Sequence, residues 1–338
     1  MTRPRIGFLG VGWLGRNRLE AIVEHGLAEV AAIADPSPAR RAEALALAPG
    51  AIACEHAGQL LQLPLDGVVI ATPSALHTEH SLSALARGRA VFCQKPLART
   101  ADETELVVDA ARASDRLLAV DLAYRHTAAM RAVRDVVAIG ELGRIHTLDL
   151  AFHSAYGPDA PWCYDKQLSG GGCVVDLGTH LVDLALWLLD FPALAGVDSR
   201  LVASGAPIDP AGSSVEDFAS VHLHLAGGVL VRLVTSWRAS VGRDAVIEVT
   251  VHGTDGGAAL RNVGGSFCDF VGERYRGARV ERLTSPPDRW RGRAAVAWVE
   301  RLTTNARFDA EADRLVELAR IVDAIYQRNR TIELRGVA

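Results

Sequence analysis

Lysine is almost missing from this chain. Two occur in 338 residues, Lys95 and Lys166, among 36 basic side chains. The remaining arginines are scattered, and with a formal net charge of −4 the chain has no basic footprint for nucleic acid or an anionic membrane. Cysteine is sparse too: Cys54, Cys93, Cys163, Cys173 and Cys268 are odd in number, far apart and without a C-x-x-C pair. That pattern suggests neither a disulfide framework nor a zinc site, and a reducing cytoplasm is expected. Long apolar runs are lacking as well. The most apolar stretch, 181–197, is broken by Asp183, Asp190 and Pro192, so no membrane span is expected. The start, M-T-R-P-R, passes into a strand-like segment without an apolar leader, and export is not expected.

What is present suits a packed enzyme-sized protein. About half the residues are apolar and under a quarter charged, and the length suggests two domains, expected at 1–122 and 123–338. In the first, short apolar runs (R-I-G-F-L-G, E-V-A-A-I-A-D, A-I-A-C, G-V-V-I-A-T, A-V-F-C-Q, L-L-A-V-D) alternate with segments of helical period, at 14–25, 75–87 and 101–113 most clearly. Six strands joined by crossovers imply a parallel, doubly wound α/β sheet. In the second, one helix pattern at 174–189 precedes long alternating runs. V-E-D-F-A-S-V-H-L-H-L, A-G-G and V-L-V-R-L-V-T-S-W predict a hairpin, because adjacent glycines supply the positive φ of a tight turn. V-I-E-V-T-V-H-G-T-D-G-G-A-A-L adds a strand and turn, 310–328 a helix, and T-I-E-L a last strand, so the expected second domain is α/β with an open, mostly antiparallel sheet. The stretch 285–308 suggests a surface loop and a short helix.

G-V-G-W-L-G (Gly10, Val11, Gly12, Trp13, Leu14, Gly15) ends the first strand and opens the first helix. Gly10 permits the turn, Gly12 lets the backbone approach a pyrophosphate, and Gly15 lets helix and strand pack closely. The helix N-terminus offers N–H groups to the phosphates. Asp35, at the end of the second strand, is placed to accept the ribose hydroxyls of NAD. Arg40 and Arg41 keep NADP in play. A-T-P-S-A-L-H follows the fourth strand: Thr72 and Ser74 can bond the cofactor, Pro73 fixes the turn, Ser74 can also cap a helix, and His77 can face cofactor or core.

Lys95 follows the fifth strand, at the same carboxyl edge, and Pro96 restricts its backbone. Its compact ammonium can donate to a substrate hydroxyl and a ribose. Further on, S-G-G-G-C-V-V-D-L-G-T-H-L-V-D sets Asp176 and His180 four residues apart on a predicted helix, where they share a face. A carboxylate beside an imidazole suits a general acid–base for an alcohol, and no third ligand suggests a metal. Asp183 can buttress His180 or face water. The linker 151–167 carries His153, Tyr156 and Trp162, which can stack on or hydrogen-bond a substrate, and Asp165 and Lys166, which can contact a polar group; a surface loop with Trp162 packed for structure is the alternative.

In order along the chain, these motifs resemble the glucose-fructose oxidoreductase, inositol dehydrogenase and rhizopine-catabolism family, Gfo/Idh/MocA. They run from G-V-G-W-L-G with Asp35 through A-T-P-S-A-L-H, Q-K-P, D-L-A-Y-R-H and G-G-G-C-V-V-D-L-G-T-H-L-V-D to H-G-T-D-G-G. The resemblance implies a Rossmann domain, a homo-oligomer (dimer or tetramer), and hydride transfer between NAD(P) and a ring carbinol or ketone of a polyol, sugar, keto-sugar or cyclitol. It implies Lys95, Asp176 and His180 as the catalytic set, and Gln94, Lys95, Pro96 and Arg125 among the cofactor contacts. Lys95, Arg125, Asp176 and His180, with Tyr156 and Trp162, would meet the substrate. Two alternatives stay open: a glycosidase or lyase that retains NAD and oxidises transiently, and a non-catalytic NAD-binding regulator. One departure is plain: the family usually has Glu-Lys-Pro, and here Gln94 replaces the glutamate. Loss of that negative neighbour is expected to let Lys95 titrate lower than in a Glu-Lys-Pro member.

Overall fold

The computed structural model of the chain describes residues 3–209 and 212–328. The strand expected at T-I-E-L lies outside the described residues. Two compact units emerge, Met1–Ala123 with Trp290–Ala319, and Tyr124–Arg289 with Arg320–Ala338.

The first unit alternates strands and helices: β1 (Arg5–Leu9), α1 (Trp13–His25), β2 (Glu29–Ala34), α2 (Pro38–Leu47), β3 (Ile52–Cys54), α3 (Ala57–Leu60), β4 (Gly67–Ile70), α4 (His77–Leu85), β5 (Ala90–Cys93), α5 (Ala101–Ser114) and β6 (Leu118–Val120). All six strands pair in parallel, in the order β3-β2-β1-β4-β5-β6. That order reverses direction beside β1, and open α/β sheets bind ligands outside the carboxyl ends of strands at such a point. Local chemistry sets the helix starts. Ser37 accepts from the Arg40 N–H to cap α2 with Pro38 in its first turn, and Thr100 accepts from the Glu103 N–H to cap α5. The core of Ile6, Phe8, Leu19, Ile22, Ile33, Val69 and Phe92 follows from runs apolar on both faces, as a buried parallel sheet requires.

A single boundary at residue 122 needs one amendment, because Trp290–Ala319 returns to the first unit. Within 285–308 there is a twelve-residue helix whose Ala294, Ala295, Trp298, Val299 and Leu302 join the first unit's core. Trp298 packs with its ring centroid 5.8 Å from that of Phe92. It also fills the space over Gly67, where an added Cβ would stand 2.7 Å from the indole.

The second unit contains α6 (Ala128–Ala138), β7 (Ile145–Ser154), α7 (Lys166–Ser169), a π-helical turn at Val174–Gly178 and α8 (Thr179–Leu188). It continues with β8 (Leu194–Ala203), β9 (Ala206–Pro207), β10 (Phe218–Leu225), β11 (Leu230–Ser236), β12 (Ala245–Gly253), β13 (Gly257–Asn262), β14 (Phe270–Arg276) and β15 (Arg279–Thr284). The later helices of the chain are α9 (Arg293–Thr304), described above, and α10 (Asp313–Gln327). The nine-stranded sheet runs β15-β14-β13-β12-β7-β11-β10-β8-β9, antiparallel throughout except between β7 and β11. The β10–β11 hairpin forms as the sequence predicts, with Gly227 at φ 84° and Gly228 at φ 81°. Along β10, Ala219, Val221, Leu223 and Leu225 are buried while the residues between them are exposed.

Two sequence expectations shift here. Residues 151–154 finish the central strand β7, so the linker begins after Ser154. The helix expected at 174–189 opens with the π turn, and only from Thr179 is it α-helical. The helical run Lys166–Leu188 is long and apolar enough to span a membrane, yet 89% of its apolar window is buried within the fold.

Candidate active site

In the first unit the three glycines divide their work as the fingerprint requires. Gly10 has φ +84°, and a Cβ there would lie 2.5 Å from the Ala71 carbonyl oxygen; one on Gly15 would lie 2.2 Å from the Gly10 oxygen. Gly12 is different, since a Cβ would meet only the Arg40 guanidinium tip at 3.8 Å. The loop is thus tight where strand and helix meet and open at the N-cap of α1, where Gly12 brings no capping side chain to the first turn. That geometry fits a dinucleotide pyrophosphate, with Arg40 beside it. Trp13 and Leu14 remain exposed at this end, and the Arg291 guanidinium lies 5.1 Å over the Trp13 ring.

Asp35 holds the loop as well as facing it. It is buried, and its carboxylate accepts from the Val11 N–H at 3.0 Å and the Ser37 N–H at 2.9 Å. Each carboxylate oxygen has capacity for a further donor, so ribose binding and loop bracing are compatible.

After β4, Ser74 is buried in a 3₁₀ turn and makes no side-chain cap bond, so its expected capping role gives way to packing. Thr72 Oγ1 stands 3.2 Å from His80 Nδ1. His77, 1% exposed, lies between two carbonyl oxygens, with Nδ1 2.7 Å from that of Pro96 and Nε2 2.7 Å from that of Thr72. It therefore ties the turn carrying Pro73 to the turn carrying Lys95. Burial lowers its pKa below the ordinary 6.5, opposed by the hydrogen bonds to both carbonyls. The folded protein binds this proton more weakly than the unfolded chain does. Stability from His77 is complete above pH 6.5 and is lost as the pH falls below it. Urea unfolding at stepped pH is expected to show a shallower acid-side loss in His77→Gln, by at most about 1.4 kcal/mol per pH unit.

Gln94, beside Lys95, is buried. Its amide donates to Asp121 Oδ2 at 2.6 Å, and Arg18 Nε donates to the same oxygen at 2.5 Å. The amide of the Q-K-P departure thus matches a buried carboxylate twenty-seven residues away.

In the second unit Asp176 lies in the π turn and His180 at the start of α8. The i, i+4 spacing therefore spans a wider turn than an α-helix, and the α-helical face-sharing argument does not carry over unchanged. Asp176 Oδ2 accepts from the Trp237 indole N–H at 3.0 Å. The ring of His180 packs edge-on against Tyr124, with centroids 4.8 Å apart. Asp183 is corrected outright: it is buried and pairs through both oxygens with Arg125, whose Nε donates to Oδ2 at 2.8 Å. Burial raises its pKa, opposed by Arg125. Arg125, expected to meet cofactor and substrate, is committed to this ion pair, with its guanidinium over the rings of Trp187 and Phe191. Tyr156 is exposed and donates to Asp244 at 2.6 Å, and Trp162 is half-buried in a 3₁₀ turn. His153 bonds Ser236 at 2.7 Å, and Lys166 donates to the Gly212 carbonyl at 3.1 Å.

The largest omission from the sequence reading is Glu216. Fully buried, it accepts from the N–H groups of Gly172 at 3.0 Å and Val174 at 2.8 Å and from the Tyr326 hydroxyl at 2.8 Å. It caps the turn that carries Asp176 from outside the helix. Burial raises its pKa, against these donors. The glycines of S-G-G-G-C serve closeness here: a Cβ on Gly172 would sit 1.9 Å from the Glu216 backbone oxygen, and one on Gly171 2.1 Å from the Tyr326 hydroxyl.

Comparison with known proteins agrees with both units. Residues 4–122 match the oxidoreductase family with an NAD-binding Rossmann fold, and residues 130–259 match the GFO/IDH/MocA C-terminal domain. D-glucoside 3-dehydrogenase of Escherichia coli (strain K12) is 29% identical over 289 residues, 80% of this chain and 79% of that protein. A putative UDP-kanosamine synthase oxidoreductase subunit of Amycolatopsis mediterranei (strain S699) is 34% identical over 272 residues, 76% of this chain and 75% of that protein. The fold is that of levoglucosan dehydrogenase in complex with NADH, with a TM-score of 0.82 at 20% identity over 97% of both chains.

Proposed function

The chain belongs to the Gfo/Idh/MocA family of NAD-binding oxidoreductases, and on that premise we propose that it oxidises a ring carbinol of a sugar or cyclitol, or reduces the matching ketone. The observation that carries the reading is Asp176, held by the Trp237 N–H four residues before His180, on a turn that Glu216 caps. The nicotinamide supplies the hydride acceptor or donor. His180 takes or returns the hydroxyl proton, the general acid–base role an imidazole can fill. Lys95 donates to the substrate oxygen and stabilises the developing alkoxide. Relatives named for a D-glucoside and for UDP-kanosamine support a carbohydrate substrate. A cytoplasmic homo-oligomer belongs to the same reading.

The test is a panel of polyols, aldoses and keto-sugars followed at the NADH absorbance, with NAD and NADP compared. Net reduction of NAD by a cyclic polyol or sugar is expected. Bond cleavage without net NADH would favour transient oxidation. Binding of NAD with no turnover of any panel member would favour a regulator.

A further inference from the structure

We propose that Trp237 is the positioning residue of the Asp176 carboxylate, acting through its indole N–H. The inference rests on the dehydrogenase reading above, and it names a residue that no motif in the chain announces.

Trp237 follows β11 directly, and its backbone N–H donates to the Asp217 carbonyl at 2.8 Å. The side chain is 4% exposed, with Nε1 3.0 Å from Asp176 Oδ2. Its ring meets that of Tyr164 edge-on, centroids 5.6 Å apart. Tyr164 is fixed in turn: its hydroxyl donates to the Pro158 carbonyl at 3.0 Å and accepts from Arg238 at 3.2 Å, and the Arg238 guanidinium lies 5.1 Å over its ring. Arg238 adopts φ 55°, a left-handed conformation that an L side chain takes only at a cost. The chain thus turns sharply just after the tryptophan, and the turn carries Arg238 back onto Tyr164.

Asp176 needs an external brace because it lies in a π turn, where the backbone does not repeat with the regularity of an α-helix. An indole N–H suits the task. It only donates and never titrates, so it holds one carboxylate oxygen at every working pH without competing for the proton in play. A second reading treats Trp237 as a core aromatic whose N–H merely finds an acceptor. The two readings separate when the N–H is removed and the shape kept.

The experiment replaces Trp237 in the full chain with 3-benzothienylalanine, which has sulfur where indole has N–H, alongside Trp237→Phe. Turnover of the best panel substrate, NAD affinity by calorimetry and thermal melting are measured for each. The expected result for the isostere is kcat lower by roughly 10- to 100-fold, as a misplaced reacting group produces. KM, NAD affinity and melting temperature should stay near wild type. An isostere with kcat within about twofold of wild type overturns the proposal, whatever Trp237→Phe does to folding. If the wild type itself turns over no panel member, the dehydrogenase reading fails and this inference falls with it.

Discussion

His180→Ala is expected to retain NAD binding while losing roughly 10²- to 10⁴-fold in kcat for alcohol oxidation, the range general acid–base catalysis contributes. A hydride leaves a carbinol carbon readily only as the hydroxyl proton departs, and water is a poor acceptor for that proton at neutral pH. His180 stands at the start of α8, half-buried and packed edge-on against Tyr124, so the ring is oriented before substrate arrives. Tyr124 in turn meets the rings of Phe152 and Phe270 edge-on. Lys95→Ala should show a loss of similar order through a different step, because an ammonium stabilises charge on the oxygen without accepting its proton. The two can be told apart by the pH–rate profile. Removal of His180 should abolish the limb that reports its ionisation, whereas removal of Lys95 should lower the rate and keep that limb. Variants that bind NAD and still turn over at the wild-type rate would overthrow both assignments.

The legible part of the molecule is the part whose partners are close in sequence. The glycine loop declares itself because turn, N-cap and helix packing fall within six residues, and each glycine has the neighbour its role predicts. The hairpin at Gly227 and Gly228 is legible for the same reason. Glu216 is not. Its meaning lies in Gly172 and Val174, more than forty residues earlier, and in Tyr326, one hundred and ten later. In V-E-D-F it looks like any polar residue before a strand. Trp237 meets Asp176 across sixty-one residues, and Trp298 settles over Gly67 from a segment whose prolines and arginines suggest surface. Arg125 and Asp183 carry the same lesson in reverse. Asp183, read from the sequence as a buttress for His180 or a water-facing residue, instead pairs with Arg125 fifty-eight residues away, because a carboxylate buried to this degree needs a bidentate cation. The π turn has no sequence signature apart from the glycines around it, so a periodicity argument runs straight through it.

Gln94→Glu tests the departure at Q-K-P most sharply, and the expected result is a loss of stability that depends on pH. Asp121 Oδ2 already accepts from both Arg18 and Gln94, all three side chains being buried. One cation, one anion and one neutral amide balance. A glutamate would bring a second carboxylate oxygen to the amide's place, 2.6 Å from that of Asp121, with a single guanidinium to answer two charges. Two carboxylates that close cannot both ionise, so the pair must keep a proton and the folded-state pKa of one member is raised. Holding a glutamate protonated at pH 7 costs about 3.7 kcal/mol, and at pH 5 only about 1 kcal/mol. The folded variant then binds more protons than the unfolded chain, so its stability rises as the pH falls, opposite in sign to the His77 contribution. Urea unfolding across that range should show the deficit shrinking toward acid. Gln94→Glu with Asp121→Asn restores one cation, one anion and one amide, and should recover most of the stability at pH 7. A single variant as stable as wild type at every pH would refute the account. A double variant no better than the single would do so as well, since complementarity with Asp121 is what gives glutamine its place here.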